Sequence, residues 1–166
     1  MASEGKNMQC VSCHAGENHR VLGRGTDLAG SDTPNKTLSC DSAACHSSPS
    51  HKNPVLNKHT ENINCTVCHI PKFARDEPTD MMRDWSKPAY NAEADKYSAT
   101  ITLQKDVTPV YAWFNGFTKA QLPGEPAIKL PDGSVGIMMP QGSRDDLTAK
   151  IFAFKLHKGK LPLQIG

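Results

Sequence analysis

Three short clusters of cysteine and histidine have the residue types and spacing for chemistry, and together they use all six cysteines of the chain. They are Cys10–His14, Cys40–His46 and Cys65–His69, and in each a histidine directly follows the second cysteine. The first and third read Cys-x-x-Cys-His, the attachment motif of c-type heme, and the second is a wider form with four intervening residues. Both thiols of such a motif bond to the porphyrin, and the adjacent histidine binds the iron as its proximal ligand. The sequence therefore predicts three covalently bound hemes c, and with them electron transfer.

Each cluster contributes two heme-attaching thiols and one proximal imidazole. Zinc binding and disulfide formation are the alternatives for clusters of this composition. Neither alternative explains why a histidine follows the second cysteine every time, nor why further histidines are present. The residues predicted to attach heme are Cys10, Cys13, Cys40, Cys45, Cys65 and Cys68, and the predicted proximal ligands are His14, His46 and His69.

Four further histidines are candidates for the distal side of the irons: His19, His51, His59 and His157. Three hemes with two axial histidines each require only three of them. His19 and His51 each follow a proximal histidine by five residues. Because a chain extends by at most ~3.6 Å per residue, so short a segment is poorly placed to reach the other face of the same porphyrin. We expect these two to bind neighbouring hemes, and we expect His157, which is far from every motif, to be redundant.

The composition agrees with a protein whose core includes heme. The chain has 166 residues, one domain's worth, of which 37% are hydrophobic and 6% aromatic. Such a chain builds a thin core from side chains alone, so we expect the porphyrins to supply apolar core surface. The net charge is +2, and the basic residues are scattered, which does not favour a nucleic-acid partner.

The expected compartment follows from the heme chemistry. No apolar run approaches the roughly 20 residues that span a bilayer, so the chain is not expected to cross a membrane. The N-terminus lacks the apolar segment of a signal peptide. Since c-type heme is attached outside the cytoplasm, we expect a periplasmic or extracellular protein whose leader is absent from this sequence.

Motif placement divides the chain into two predicted regions. Residues 1–75 are expected to form a triheme-binding region, and residues 76–166 a heme-free C-terminal region that packs on the heme array as one compact unit. The Gly, Ser, Asn and Pro content of the first region favours loops and short helices. The predicted fold class is therefore mostly irregular, with short α-helices wrapped around a compact heme array and few or no strands.

Two elements are predicted in the C-terminal region. The partly alternating run Thr100–Gln104 is typical of a short strand. Ser143 is a suitable N-cap for a last helix, and Leu147, Ile151 and Phe154 recur at helical spacing behind it. The second pattern predicts a C-terminal helix with a basic end, where His157 lies.

Several strings resemble a known family of multiheme cytochromes. Asn64–Arg75 reads Asn-Cys-Thr-Val-Cys-His-Ile-Pro-Lys-Phe-Ala-Arg, Arg83–Ser86 reads Arg-Asp-Trp-Ser, and Pro109–Gly116 includes Trp-Phe-Asn-Gly. These strings resemble the C-terminal part of the octaheme tetrathionate reductase family. The resemblance runs through nearly the whole chain, as far as Phe154–Lys160.

The resemblance implies three bis-histidine hemes that carry electrons. In that family the catalytic heme lies in the N-terminal half, which has no counterpart here. The wider Cys40–Cys45 spacing departs from the family pattern, and His157 has no family counterpart as a ligand. Carried over by residue, the resemblance implies the proximal ligands His14, His46 and His69 and the distal ligands His19, His51 and His59.

The leading functional hypothesis is therefore a triheme electron carrier without catalytic residues. One alternative is a fragment or subunit of a reductase acting on tetrathionate, nitrite or hydroxylamine at a five-coordinate heme. Another is a repeating unit of a conductive cytochrome assembly. Expected partners are redox proteins or neighbouring cytochrome subunits, in a homo-oligomer or a larger multiheme complex.

Overall fold

The computed structural model describes residues 16–17, 20–21, 40, 46 and 49–162. Two short α-helices are described, Pro54–His59 of six residues and Cys65–His69 of five. Five of the predicted heme-binding residues lie outside the described residues: Cys10, Cys13, His14, His19 and Cys45.

The remaining regular structure of the described part is β-strand, in four small sheets. The strands are β1 (Gly16–Glu17), β2 (Arg20–Val21), β3 (Thr79–Asn91), β4 (Lys96–Gln104), β5 (Val110–Phe114), β6 (Thr118–Ala120), β7 (Met138–Pro140), β8 (Lys150–Phe154) and β9 (Lys158–Lys160). β1 pairs with β2, and β6 with β7, both antiparallel. A three-stranded sheet has the order β4-β3-β9, and β5 pairs with β8.

The longest element is the antiparallel hairpin of β3 and β4. Alternation of polar and apolar residues in β4, with β-branched side chains at Thr100, Ile101 and Thr102, favours an extended strand. In the turn, the Asn91 side chain accepts hydrogen bonds from the backbone of Glu93 and Ala94, each at 3.0 Å. Short polar side chains that bond to nearby backbone in this way favour tight turns.

A bulge interrupts the hairpin in the middle of β3. The register shifts between Asp84 and Ala89, and Pro88 lies in this stretch. Proline has no N–H to donate to a ladder, so it is tolerated at such an irregularity. Asp84 Oδ1 accepts hydrogen bonds from the backbone N–H of Ser86 at 2.8 Å and from its hydroxyl at 2.6 Å, which holds the bulged backbone.

The predicted fold class is wrong. β3 and β4 alone comprise 13 and 9 residues, whereas the two described helices comprise only 6 and 5. The strand predicted at Thr100–Gln104 is present, but it begins earlier, at Lys96. The prediction gave too much weight to loop-forming residues, whereas cross-strand pairing between distant segments decides strand formation.

The predicted C-terminal helix is also wrong. Lys150–Phe154 is strand β8, and Leu147, the first residue of the supposed apolar face, is fully exposed at 102%. The local capping is real: Ser143 Oγ accepts a hydrogen bond from the Asp145 N–H at 3.3 Å. It holds a turn rather than a helix, because no apolar face is buried behind it.

Chain packing divides the molecule into two compact units. One comprises Met1–Cys65 and Trp113–Ile151, and the other Thr66–Ala112 and Phe152–Gly166. The division predicted at residue 75 concerned heme attachment rather than packing, so it stays a prediction.

The side-chain core of the described residues is small. Its buried hydrophobic members are Val107, Ala120 and Ala149, at 4%, 7% and 4% exposure. None of the large side chains in the described part is fully buried. Chains of this length ordinarily bury several of them. None of the described helices is long and apolar enough to cross a bilayer.

Candidate heme site

The third motif forms its own short helix, Cys65–His69. Residues three and four apart lie on one face of a helix, so Cys65, Cys68 and His69 face the same side. Cys65 is half-buried, Cys68 and His69 are exposed, and neither cysteine forms a disulfide bond. Two available thiols and an imidazole on one side are the donor set that heme c requires, so these residues fit the group.

The chain before the motif is fixed by strand β8. Asn64 N donates a hydrogen bond to the carbonyl of Ile151 at 2.9 Å, and Ile151 N donates to the carbonyl of Asn62 at 2.8 Å. Ile63 and Ile151 thereby form a parallel bridge. The backbone that enters the Cys65–His69 helix therefore has a fixed position on a C-terminal strand.

The chain after the motif is fixed by the loop behind β4. Phe73 and Val107 exchange two backbone hydrogen bonds, both of 2.9 Å, and Asp106 N donates to the carbonyl of Ala74 at 3.1 Å. Lys72 Nζ donates to Thr108 Oγ1 at 2.5 Å. Since Val107 is buried, this anchor is protected from water. Segments that contain no heme motif thus position the chain both before and after the third motif.

The helix Pro54–His59 carries the candidate distal ligand His59 at its last position. Asn53 caps its start by accepting a hydrogen bond from Val55 N at 2.9 Å, and proline at the first helical position is favourable. Lys150 Nζ donates to the carbonyl of Thr60 at 2.6 Å and so satisfies the other end. The exposed His59 therefore projects from a helix that is held at both ends.

His51, another candidate distal ligand, lies just before this helix and is half-buried. Its backbone N–H donates to Asn57 Oδ1 at 2.9 Å, and Asn57 Nδ2 donates to its carbonyl at 2.7 Å. The side chain of Asn57 therefore joins His51 to the helix that carries His59.

Exposed apolar side chains accompany His59 on its helix. Val55 and Leu56 precede it by four and three residues, which places them on its face, and they are 59% and 44% exposed. Apolar surface beside an axial imidazole suits contact with a porphyrin ring. Among the described residues no group of three His, Cys, Asp or Glu side chains forms a metal cluster. A heme iron needs none, because the porphyrin supplies four of its ligands.

The other predicted site residues are placed as follows. Cys40 and His46 are described and exposed, whereas the rest of the first two motifs lies outside the described residues. His157 lies between β8 and β9, beside the carboxylate of Asp80. The third motif is therefore the one that lies wholly within the described residues.

Asn53, Asn57 and Lys150 support the site and were missed by the sequence analysis. The pair Asn53-Pro54 carried a usable signal, since an N-cap residue followed by proline marks a helix start. Asn57 and Lys150 carried none, because their partners at His51 and Thr60 are recognisable only after folding.

Comparison with known proteins identifies the family. Residues 75–166, more than half of the chain, match the family model described as bacterial cytochrome c. The chain belongs to the bacterial cytochrome c family. The matched part of this cytochrome begins after the third motif, so the strands, and not the motifs alone, carry the family pattern.

Two relatives refine the identification. The cytochrome is 36% identical over 74 residues to the multiheme cytochrome MtrA of Shewanella baltica (strain OS185), which covers 45% of this chain and 20% of MtrA. The crystal structure of an octaheme cytochrome c from Shewanella oneidensis matches with a TM-score of 0.68 and 35% identity, over 95% of this chain and 37% of that one. The chain thus spans about a fifth of MtrA and over a third of the octaheme protein.

The comparisons confirm the class of protein that the sequence predicts. The protein is a multiheme c-type cytochrome with covalently bound heme. Axial ligands, hydrogen bonding and burial are the means by which such a protein sets the potential of its hemes.

Proposed function

We propose that this cytochrome is a triheme electron carrier in which every iron is held between two histidines. The observation that carries the proposal is the helix Cys65–His69, whose thiols and imidazole share one face and whose flanks are fixed on both sides. The chain contains three such motifs and enough further histidines for every distal position.

The ligand set follows the motifs and the nearby histidines. Cys10, Cys13, Cys40, Cys45, Cys65 and Cys68 attach the hemes. His14, His46 and His69 are the proximal ligands, and His19, His51 and His59 are the distal ligands.

The chain's residues make the hemes carriers rather than catalysts. Bound heme supplies one-electron redox chemistry at its iron. Two imidazoles per iron leave no position for a substrate, and ligation by histidine without methionine favours low potentials. The fixed helix of the third motif holds its imidazole in place, so little reorganisation accompanies each electron.

Within the wider family, the chain corresponds to the C-terminal triheme part of an octaheme tetrathionate reductase. The octaheme neighbour at 35% identity supports this assignment, and it covers 95% of the chain. Its hemes would then pass electrons to or from neighbouring hemes or redox proteins, in the periplasm or outside the cell.

Heme stoichiometry tests the first half of the proposal. The intact mass is expected to exceed that of the polypeptide by three hemes. The variant Cys40→Ser/Cys45→Ser removes the thiols of the wide motif and is expected to retain two. A wild-type mass with only two hemes would contradict the triheme assignment and remove Cys40, Cys45 and His46 from the set.

The spin state of the irons tests the second half of the proposal, which is ligation of every iron by two histidines. If each iron has two histidines, electron paramagnetic resonance (EPR) spectra of the oxidised protein should contain low-spin ferric signals only. A stoichiometric high-spin signal would instead reveal an open iron position and would favour the reductase alternative.

A further inference from the structure

The side chain of Asn57 matches both hydrogen-bonding groups of one backbone residue. His51 N–H donates to its Oδ1 at 2.9 Å, and its Nδ2 donates to the His51 carbonyl at 2.7 Å. This cyclic pair resembles one rung of a β-ladder and fixes both the position and the orientation of the His51 backbone. Only a carboxamide offers a donor and an acceptor in this arrangement, since a carboxylate lacks the donor and an alkyl group lacks both.

The position of Asn57 is unusual on local grounds. It lies in the interior of the helix Pro54–His59, where asparagine is a poorer helix former than alanine or leucine because its amide competes for the backbone. His51 itself lies in a segment without regular secondary structure. The half-buried Asn57 side chain holds the His51 backbone through both of its hydrogen-bonding groups.

The same helix carries His59. Asn53 satisfies the start of the helix, and Lys150 binds the carbonyl of Thr60 at its end. The backbones of His51 and His59 are therefore parts of one small unit, with Asn57 as the link between them.

We propose that Asn57 is a positioning residue that holds the axial ligand His51 and couples it to His59. The inference rests on the proposed ligation of two irons by these histidines. In this role Asn57 acts through the His51 backbone and is not itself a ligand. By fixing two distal ligands relative to one another, it fixes the relative placement of the two hemes they bind, on which the rate of electron transfer between hemes depends.

The test compares variants of the heme-loaded protein. Asn57→Leu keeps the size and favours the helix but removes both hydrogen bonds to His51. We expect a loss of low-spin EPR signal from about one heme in three, or an upward shift in the potential of one heme, because its distal ligand is held less firmly. Asn57→Asp retains the acceptor for His51 N–H and should give a smaller effect in the same direction.

Asn53→Ala is the matched control on the same helix. It removes the N-cap hydrogen bond to Val55 but leaves the pair between Asn57 and His51 intact. We expect a lower unfolding temperature with unchanged spin state and potentials. If Asn53→Ala changed the spectrum as much as Asn57→Leu does, helix stability alone would explain the effect and the inference would be overturned.

His51→Ala separates this inference from the proposed function. It should open one heme to a high-spin or water-bound state. If all hemes stay low-spin in His51→Ala, the proposed ligand set fails. If His51→Ala opens a heme while the Asn57 variants match the wild type, the ligand set stands and the positioning role fails. Should Asn57→Leu not accumulate with three hemes, Asn57→Asp decides the question alone.

Discussion

The Nε2 atom of His157, in the segment between β8 and β9, lies 3.3 Å from Oδ1 of Asp80 on β3. The imidazole is 42% exposed, and the carboxylate 20%. Arg83 Nε donates to the other carboxylate oxygen at 2.6 Å, and Lys155 Nζ donates to the Asp80 carbonyl at 2.7 Å. His157 thus has a local electrostatic role on the surface of the β4-β3-β9 sheet, which supports its exclusion from the proposed ligand set.

Replacement of His157 should therefore leave the hemes unchanged. His157→Ala is expected to retain a fully low-spin ferric spectrum and wild-type potentials, because the His157 imidazole lies beside the Asp80 carboxylate. His59→Ala is the matched comparison and should convert about one heme in three to an open state with a raised potential. The opposite pattern in EPR spectra and redox titrations would place the C-terminal strand over a heme and remove His59 from the set.

Stability should fall in acid because three carboxylates are stabilised in their charged form. Hydrogen bonds from Arg83, Ser86 and Thr148 hold the pKa values of Asp80, Asp84 and Asp146, respectively, below the usual value of 3.8. A depressed folded-state pKa gives stability that is fully present above 3.8 and is lost as the pH falls through the lower folded values. Denaturation midpoints measured from pH 6 downward should be flat at first and then decline below about pH 4.

Asp146→Ala should show the contribution of one carboxylate to this dependence of stability on pH. Asp146 accepts hydrogen bonds from Thr148 N at 2.9 Å, Thr148 Oγ1 at 2.7 Å and Asn115 Nδ2 at 2.9 Å. The variant should be less stable near neutral pH and should lose less stability in acid than the wild type. Asp145→Ala, at the exposed neighbouring position, is the control. Equal pH profiles for wild type and Asp146→Ala would contradict the assignment.

Gly142 should tolerate no side chain. Its φ is +133°, and a Cβ atom there would lie 3.0 Å from the Ala149 Cβ and 3.1 Å from the Asn115 N. Gly142→Ala is expected to cost roughly 3 kcal/mol in chemical denaturation, from backbone strain and overpacking together. Gly124 has a φ of +86° but open space around it, so Gly124→Ala should cost only about 1 kcal/mol. Similar losses of stability in the two variants would show that the backbone at Gly142 relaxes.

Lys150 should stabilise the helix that carries His59. Lys150→Met removes the hydrogen bond from Nζ to the Thr60 carbonyl but keeps the alkyl chain. We expect a loss of about 1–2 kcal/mol in unfolding free energy, since this carbonyl at the helix end loses a charged donor. Lys158→Met, on the exposed strand β9, should change stability by less than about 0.5 kcal/mol. If Lys150→Met left the unfolding free energy unchanged, water would be replacing the ammonium group at the Thr60 carbonyl.

The heme chemistry was predictable because it depends on local spacing. Cys65, Cys68 and His69 fall on one helical face whatever surrounds them, and the prediction of a c-type cytochrome is supported independently by the family match of residues 75–166. The strands were harder to predict, because their pairing partners are distant in the sequence. The helical spacing of Leu147, Ile151 and Phe154 arose by coincidence, and pairing of β8 with β5 decided the outcome.

Apart from the N-cap pair Asn53-Pro54, the residues that support the candidate site were not predictable from the sequence. Nothing local to Lys150 indicates that it binds Thr60, 90 residues earlier. Likewise, β9 pairs in parallel with β3 through Lys158–Lys160, a basic segment without strand propensity. Its conformation follows from the neighbouring strand rather than from its own sequence.

The anchors of the third motif impose an order on biogenesis. Lys72 binds Thr108, 36 residues later, and Thr60 binds Lys150, 90 residues later. Contacts of such sequence separation form late during folding, because a long loop must close first. Until the C-terminal strands pair, we expect Cys65 and Cys68 to remain in a loosely held segment. In the proposed function, both thiols would be accessible for heme attachment at this stage, before the C-terminal contacts close around the motif.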